Sequence, residues 1–317
     1  MKTTTPSAER LPAVQSTKWT RLKRNLTKNA WLYAFVLPTI LWYVLFCYLP
    51  MGGVYIAFTR YRGAGNYWKA PFVGLKWFKS FFNSAYAGIT IKNTLVLSLY
   101  SLATFPIPIL IGLLFNEIKN EKFKKTTQTI MYAPHFVSLV VLVAMMKLFF
   151  AQNGMVNNLL EALGADRIPF MSSVKAYPHM FTWSGVWTGL GWNTIIYVAA
   201  LSSVDPGLHE AATLDGASRV QRIVHINLPT IAPTVVITLI MRVGSLMNVS
   251  TDKGLLMKND LNIAASETIG TFVYARGLQG GDFSYSTAVG LFTNVINLIL
   301  LLSVNWISQK VSDTSLF

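Results

Sequence analysis

The chain has 317 residues, 52% of them hydrophobic and only 13% charged, with a formal net charge of +14. So small a charged share excludes an ordinary soluble domain, and apolar runs near the ~20 residues that cross a bilayer recur along the chain. A single cysteine, Cys47, excludes an intramolecular disulfide or a cysteine metal cluster. The basic residues mostly flank apolar runs, which suits a membrane surface better than nucleic acid.

Residues 1–29 are polar and basic, with Lys18, Arg21, Lys23, Arg24 and Lys28 close before the first apolar run, and are predicted to be cytoplasmic. Trp19, Leu22 and Leu26 at helical spacing would let the end of this segment lie in the interface. The first span, 30–58, is too long for a secretory leader and is interrupted by Pro38 and Pro50, so it reads as retained. Residues 59–92 hold no acidic side chain and are predicted to lie outside. A second span, 93–116, should bend at Pro106 and Pro108. The short loop that follows carries Lys119, Lys122, Lys124 and Lys125, a cytoplasmic marker. The third span covers 126–150, and the external segment 151–177 contains a short amphipathic helix over 154–164 that ends at glycine. The fourth span, 178–204, is rich in tryptophan and glycine; Gly185 and Gly189 form a G-x-x-x-G face suited to close helix approach. A fifth span over 231–249, an external glycine-rich segment over 250–285 and a sixth span over 286–307 complete an all-α, six-helix polytopic domain spanning 30–307. Residues 308–317 form a tail.

Between the fourth and fifth spans lies a hydrated loop, 205–229. Asp205-Pro206 reads as an N-cap followed by proline at the first helical position. Gly216 can take the left-handed conformation that ends a helix. Ser218 to Gln221 has capping-box spacing, so a second helix should start at once and run toward Pro229. The expected object is a rigid helix, glycine corner and helix. Glu210-Ala211-Ala212, three residues, Gly216, nine residues, Ile226, one residue and Leu228-Pro229 together resemble the coupling motif of binding-protein-dependent ABC importer permeases. Gly154-Met-Val-Asn, Ala275-Arg-Gly-Leu-Gln-Gly-Gly-Asp-Phe-Ser-Tyr, Ala288-Val-Gly-Leu-Phe and Asn305-Trp are similar to the LplB-related, maltose-permease type of carbohydrate permease.

The resemblance implies a type I ABC importer permease fold in a bacterial cell membrane, with the N-terminus and the coupling loop cytoplasmic. It also implies a heteromer: a second permease subunit, two ATPase subunits and an extracytoplasmic solute-binding protein docking on segments 59–92 and 250–285. ATP and Mg would sit on the ATPase, and no cofactor in this chain. By the same resemblance Glu210 would pair with a basic residue of the ATPase, and Ala211 and Ala212 would allow close packing. Asp215 and Gly216 would form the corner, with Ile226, Leu228 and Pro229 completing the docking element.

The chain lacks the parts of an enzyme: no P-loop, H-E-x-x-H or G-x-S-x-G motif occurs, and His135, His179, His209 and His225 are scattered. Arg242, placed near the middle of the fifth span with no acidic residue inside any span, must face water, carbonyls, a partner subunit or an anionic ligand. It is either a structural arginine or part of a translocation path for an acidic, uronate-containing oligosaccharide. Trp183, Trp187 and Trp192 either stack on sugar rings or form an interface belt. Asn193, Asn248, Asn294 and Asn297 bond either substrate hydroxyls or neighbouring helices, Asn294 and Asn297 sharing one face. The alternative class, a self-contained secondary carrier or channel, would need intramembrane acidic groups or a pore-lining pattern that the sequence does not offer.

Overall fold

The structure, a computed structural model, describes residues 27–311 and 315–316; the interfacial reading of Trp19, Leu22 and Leu26 lies outside these residues. Every regular element among the described residues is helical, apart from an isolated antiparallel bridge between Thr59 and Phe72. That is what a lipid environment demands of a spanning chain, because helices satisfy their own backbone groups. The chain divides into two units, Met1–Val54 and Tyr55–Phe317.

The first unit is built on α1 (Ala30–Tyr43), a π-helical turn (Val44–Tyr48) and a helical piece at Leu49–Met51. Its large apolar side chains are bare from Trp31, 81% exposed, to Met51, 61% exposed, a surface suited to lipid or to another protein. The π turn has a local cause. The Leu49 N–H donates to the carbonyl of Val44, five residues back. The next residue, Pro50, has no N–H, and its ring would press on a carbonyl four residues back in an unbroken α-helix. Widening the turn relieves that clash without ending the helix.

The second unit runs through α2 (Lys76–Phe82), α3 (Ala85–Ala103), α4 (Pro106–Asn116), α5 (Glu121–Tyr132), α6 (Leu139–Phe149), α7 (Met155–Ala162) and α8 (Tyr177–Leu201). It continues through α9 (Pro206–Leu214), α10 (Arg219–Arg222), α11 (Leu228–Gly244), α12 (Thr251–Met257), α13 (Ile263–Ser266), α14 (Ile269–Tyr274) and α15 (Phe283–Val311). Among the described residues four helical stretches are long and apolar enough to cross a bilayer: Ala30–Phe58, Ala85–Asn116, Arg219–Gly244 and Phe283–Lys310. The expected third span is a broken one: Glu121–Phe136 and Leu139–Phe149 meet at 96°, and together they would make a fifth crossing. The 25-residue α8 is long enough, at roughly 37 Å, but its tryptophans, glycines, tyrosines and threonines dilute its apolarity.

Helix α8 is the hub, packing against α3, α4, α5 and α11. Two glycines make this possible, and they are not the Gly185–Gly189 pair expected from sequence. A Cβ on Gly191 would lie 2.2 Å from the carbonyl oxygen of Met131 in α5, and one on Gly112 of α4 would lie 3.0 Å from the Cβ of Tyr197. Gly189, by contrast, meets only the side chain of Asn193 on its own helix. Around this hub, Ile109, Leu113, Tyr197, Leu201, Val204 and Ile231 form one buried cluster. Leu97, Leu142, Val143, Met146, Tyr177, Met257 and Ala265 form a second. A third, centred on Phe81, Phe272, Tyr285 and Val289, locks α2 and α14 onto α15.

Two further expectations change. The helix after Ser218 does not stop near Pro229: a second π turn, Ile223–Asn227, ends in a Leu228 N–H bond to Ile223 O just before that proline, and the helix continues to Gly244. Segment 250–285 is not a simple external loop. Met257, Ser266, Glu267, Thr268, Ile269, Thr271 and Phe272 are all buried. Asn262 donates to the carbonyl of Met171, Asn93 donates to those of Ala264 and Glu267, and Lys258 pairs with Glu267. Part of the segment is thus packed into the helices, while residues 259–261 and 278–282 stay exposed.

Candidate functional site

The 205–229 element is built by local chemistry. Asp205 Oδ1 accepts the Gly207 N–H at 2.8 Å, with Pro206 opening α9. At the other end Gly216 takes φ +79°, and the N–H groups of Ala217 and Gly216 donate to the carbonyls of Ala212 and Thr213 at 2.9 and 3.1 Å. That is the paired bonding of a Schellman termination. Ser218 and Gln221 form both halves of a capping box, which starts α10 at once. A residue missed in the sequence reading ties the two helices together: Arg222 Nη1 donates to Thr213 Oγ1 at 3.0 Å and to the Ala217 carbonyl at 3.3 Å. Its only sequence signal was a basic residue at the end of a short helix.

Glu210, Ala211, Asp215, Gly216, Leu228 and Pro229 are exposed, and Ala212 and Ile226 are half-buried. Glu210 makes no ion pair among the described residues. Beside it lies a shallow hollow lined by Asn116, Glu117, His209, Thr213, Leu214 and Arg222. Leu214 is 89% exposed, an apolar knob on a polar loop. The element therefore offers a rigid, unpaired carboxylate, a small-residue face and a protruding leucine.

The second feature is a cavity of about 830 Å³ walled by α3, α8 and α11 and closed in part by α6 and the start of α12. Among the described residues its lining combines hydroxyls and amides (Ser98, Ser101, Thr104, Thr182, Tyr197, Thr238, Asn193, Asn248) with two cations, Arg242 and Lys253, and no Asp or Glu. Arg242 is not mid-span: it occupies the last turn of α11, where the helix C-terminus favours a positive charge. Its Nη2 donates to Ser101 Oγ. Tyr197 and Thr238 share a hydrogen bond of 3.0 Å.

Of the residues expected along a path, Arg242, Trp192, Asn193 and Asn248 line the cavity and the others do not. Trp183 is half exposed and donates to Tyr100 Oη, which in turn bonds His179 Nδ1. Trp187 is likewise outside the lining. At about 100° per helical residue, Trp183 and Trp187 share a face and Trp192 points roughly 140° away from Trp187. The face of Trp192 is itself stacked on His135, with centroids 4.4 Å apart. Asn297 is buried, accepting from the Met247 N–H and donating to Asn248 Oδ1, whereas Asn294 is exposed away from the cavity. The two do not serve one polar face.

Lys253, in the segment 250–285, is only 5% exposed. Its Nζ donates to the carbonyl of Phe181 at 2.8 Å and stands over the Phe181 ring. Burial pushes its pKa down to about 8.

Residues 104–313 match the family described as "Binding-protein-dependent transport system inner membrane component". The chain is 38% identical to Protein LplB of Bacillus subtilis (strain 168), over 99% of both chains. It is 37% identical to the polygalacturonan/rhamnogalacturonan transport system permease protein YteP of the same organism, over the full length of both. Among solved structures it is similar to a chain of a bacterial ABC transporter involved in the import of the acidic polysaccharide alginate, at 36% identity and a TM-score of 0.85, covering 92% of this chain and 99% of that one. A second structure of a bacterial alginate ABC transporter, in complex with an alginate pentasaccharide-bound periplasmic protein, gives 35% identity and a TM-score of 0.87 over 93% of this chain and 100% of that one.

Proposed function

The chain belongs to the family of binding-protein-dependent transport system inner membrane components, and from that premise we propose that it forms the path by which an ATP-driven importer takes up an acidic, uronate-containing oligosaccharide. It is a membrane permease of the sugar-importing ABC class, a non-catalytic subunit. Its working assembly pairs it with a second permease, two ATPase subunits that carry ATP and Mg, and an extracytoplasmic binding protein that delivers the sugar. In that assembly residues 30–307 cross the membrane six times, α8 making one crossing and the broken α5–α6 pair another. Residues 1–29, the coupling loop 205–229 and the tail 308–317 lie on the cytoplasmic side.

The observation that carries the acidic substrate is the cavity lining: two cations and no carboxylate facing one space. A neutral sugar needs hydroxyl and amide partners only, and a desolvated cation is costly unless something neutralises it. An anionic cargo meets that need transiently, as a transport path requires. The names of the relatives agree, since polygalacturonan and alginate are both uronate polymers. A self-contained carrier, by contrast, would need an acidic coupling group in the same cavity.

The energy step falls to 205–229. Glu210 is held on a capped helix with no partner of its own, ready to pair with a cation on the ATPase, while Ala211 and Ala212 allow close approach. Movement there passes along the helix Arg219–Gly244, because the π turn keeps it continuous to the cavity wall. The test is uptake by vesicles containing the complete importer. Import of a uronate oligosaccharide should require ATP, the ATPase and the binding protein, and Arg242→Gln should cut it roughly tenfold or more. Unchanged uptake of acidic and neutral oligosaccharides in the Arg242→Gln importer would rule out the acidic path.

A further inference from the structure

Lys253 is the least explained charge in the molecule. Lysine is rarely buried without a carboxylate partner, yet this one has none among the described residues; its bonded contact is the Phe181 carbonyl, made across 72 residues of sequence. An ammonium carries three donors. The one used on Phe181 fixes its position and leaves the others free. The space around it is also specific: a Cβ on Gly185, one helical turn after Phe181, would lie 3.3 Å from Nζ. Gly185 therefore does not serve helix packing; it leaves room for the ammonium at the cavity wall. A lone structural tether between α12 and α8 would not need a cavity beside its ammonium.

We propose that Lys253, seated by Phe181 and Gly185, is a second anion-binding position in the cavity, contacting a carboxylate of the passing oligosaccharide in addition to the one met by Arg242. This inference rests on the acidic path argued above. Two cations on different elements of one cavity, one in the last turn of α11 and one in α12, suit a chain bearing more than one carboxylate better than a single acidic group. The ligand class is thus an oligosaccharide with at least two uronate residues.

The experiment uses the complete importer, with binding protein and ATPases, in proteoliposomes. Alginate and polygalacturonate trisaccharides serve as probes. Lys253→Met keeps the length and apolar stem of the side chain and removes the charge; Lys253→Arg keeps the charge. We expect Lys253→Met to lower uptake of a transported uronate roughly tenfold or more. Lys253→Arg should restore most of that loss, while Lys253→Met, which leaves the Phe181 carbonyl without its donor, should lower the melting temperature slightly. Gly185→Ala is the second variant: alanine favours the helix but crowds the ammonium, so uptake should fall with stability kept. Undiminished uronate uptake in Lys253→Met overturns the proposal while leaving the acidic path standing. Equal loss in Lys253→Met and Lys253→Arg with a lowered melting temperature also overturns it, making the lysine a strut between α12 and α8. A wild-type importer that moves neither trisaccharide removes the acidic path itself and this inference with it.

Discussion

At Gly191 a hydrogen in place of a carbon decides how closely α8 and α5 cross. The added Cβ would fall 2.2 Å from the Met131 carbonyl oxygen, and the obstacle is backbone, which cannot turn aside as a side chain can. Overpacking of this kind costs about 1–3 kcal/mol. Gly191→Ala should therefore lower the melting temperature of the purified protein, whereas Gly290→Ala, inside α15 with nothing within 4 Å of its new methyl, should hold or raise it. Identical melting curves for the two variants would refute this account of the crossing. The same scale separates the tryptophans. Trp192 lies in the cavity wall and Trp183 does not, because nine residues of helix carry them to different sides of one cylinder.

At the scale of the element, α9 and α10 are short, and neither would hold its place by propensity alone. Caps at Asp205 and Ser218, the Gly216 corner and the Arg222 staple combine to make one stiff piece. Stiffness matters because a push on a hinge moves only the hinge. Arg222→Ala should leave the assembled ATPase turning over while the sugar imported per ATP hydrolysed falls several-fold. That ratio is measured directly in proteoliposomes, and an unchanged ratio would show that the staple is dispensable. The two π turns belong to this scale as well. Each precedes a Leu-Pro pair and lets a helix pass a proline that would otherwise break it.

At the scale of the molecule, the cavity and the coupling element sit on one continuous helix, Arg219–Gly244, with Arg242 at one end and the α10 capping box at the other. Twenty-six residues span roughly 39 Å, enough to connect opposite faces of a membrane. Leu214, at the exposed corner, reports which face is which. With Cys47 replaced by Ala, a Leu214→Cys protein should react with a membrane-impermeant thiol reagent in inside-out vesicles and not in intact cells. Labelling from the cell exterior would invert the topology and remove the coupling role.

The sequence by itself determined the membrane class, the approximate apolar runs and the caps and glycine corner of the 205–229 element, though not its Arg222 staple or its π turn. Caps, the αL glycine and the capping box act over a few residues, so their partners are neighbours in the chain. It also determined that a lone arginine stood without an intramembrane acid. It misplaced Arg242 along its helix, because Ser245, rather than Val249, takes the end of α11. It did not show that part of segment 250–285 packs into the helices, because the buried bonds of Asn262 and Asn93 reach carbonyls 91 and 171 residues away. Only the tertiary structure brought Lys253, Gly185 and Arg242 to one cavity and sent Asn294 and Trp183 elsewhere. Which faces of helices meet depends on backbone contacts such as Gly191 on Met131, and no periodicity within a single helix encodes its neighbour.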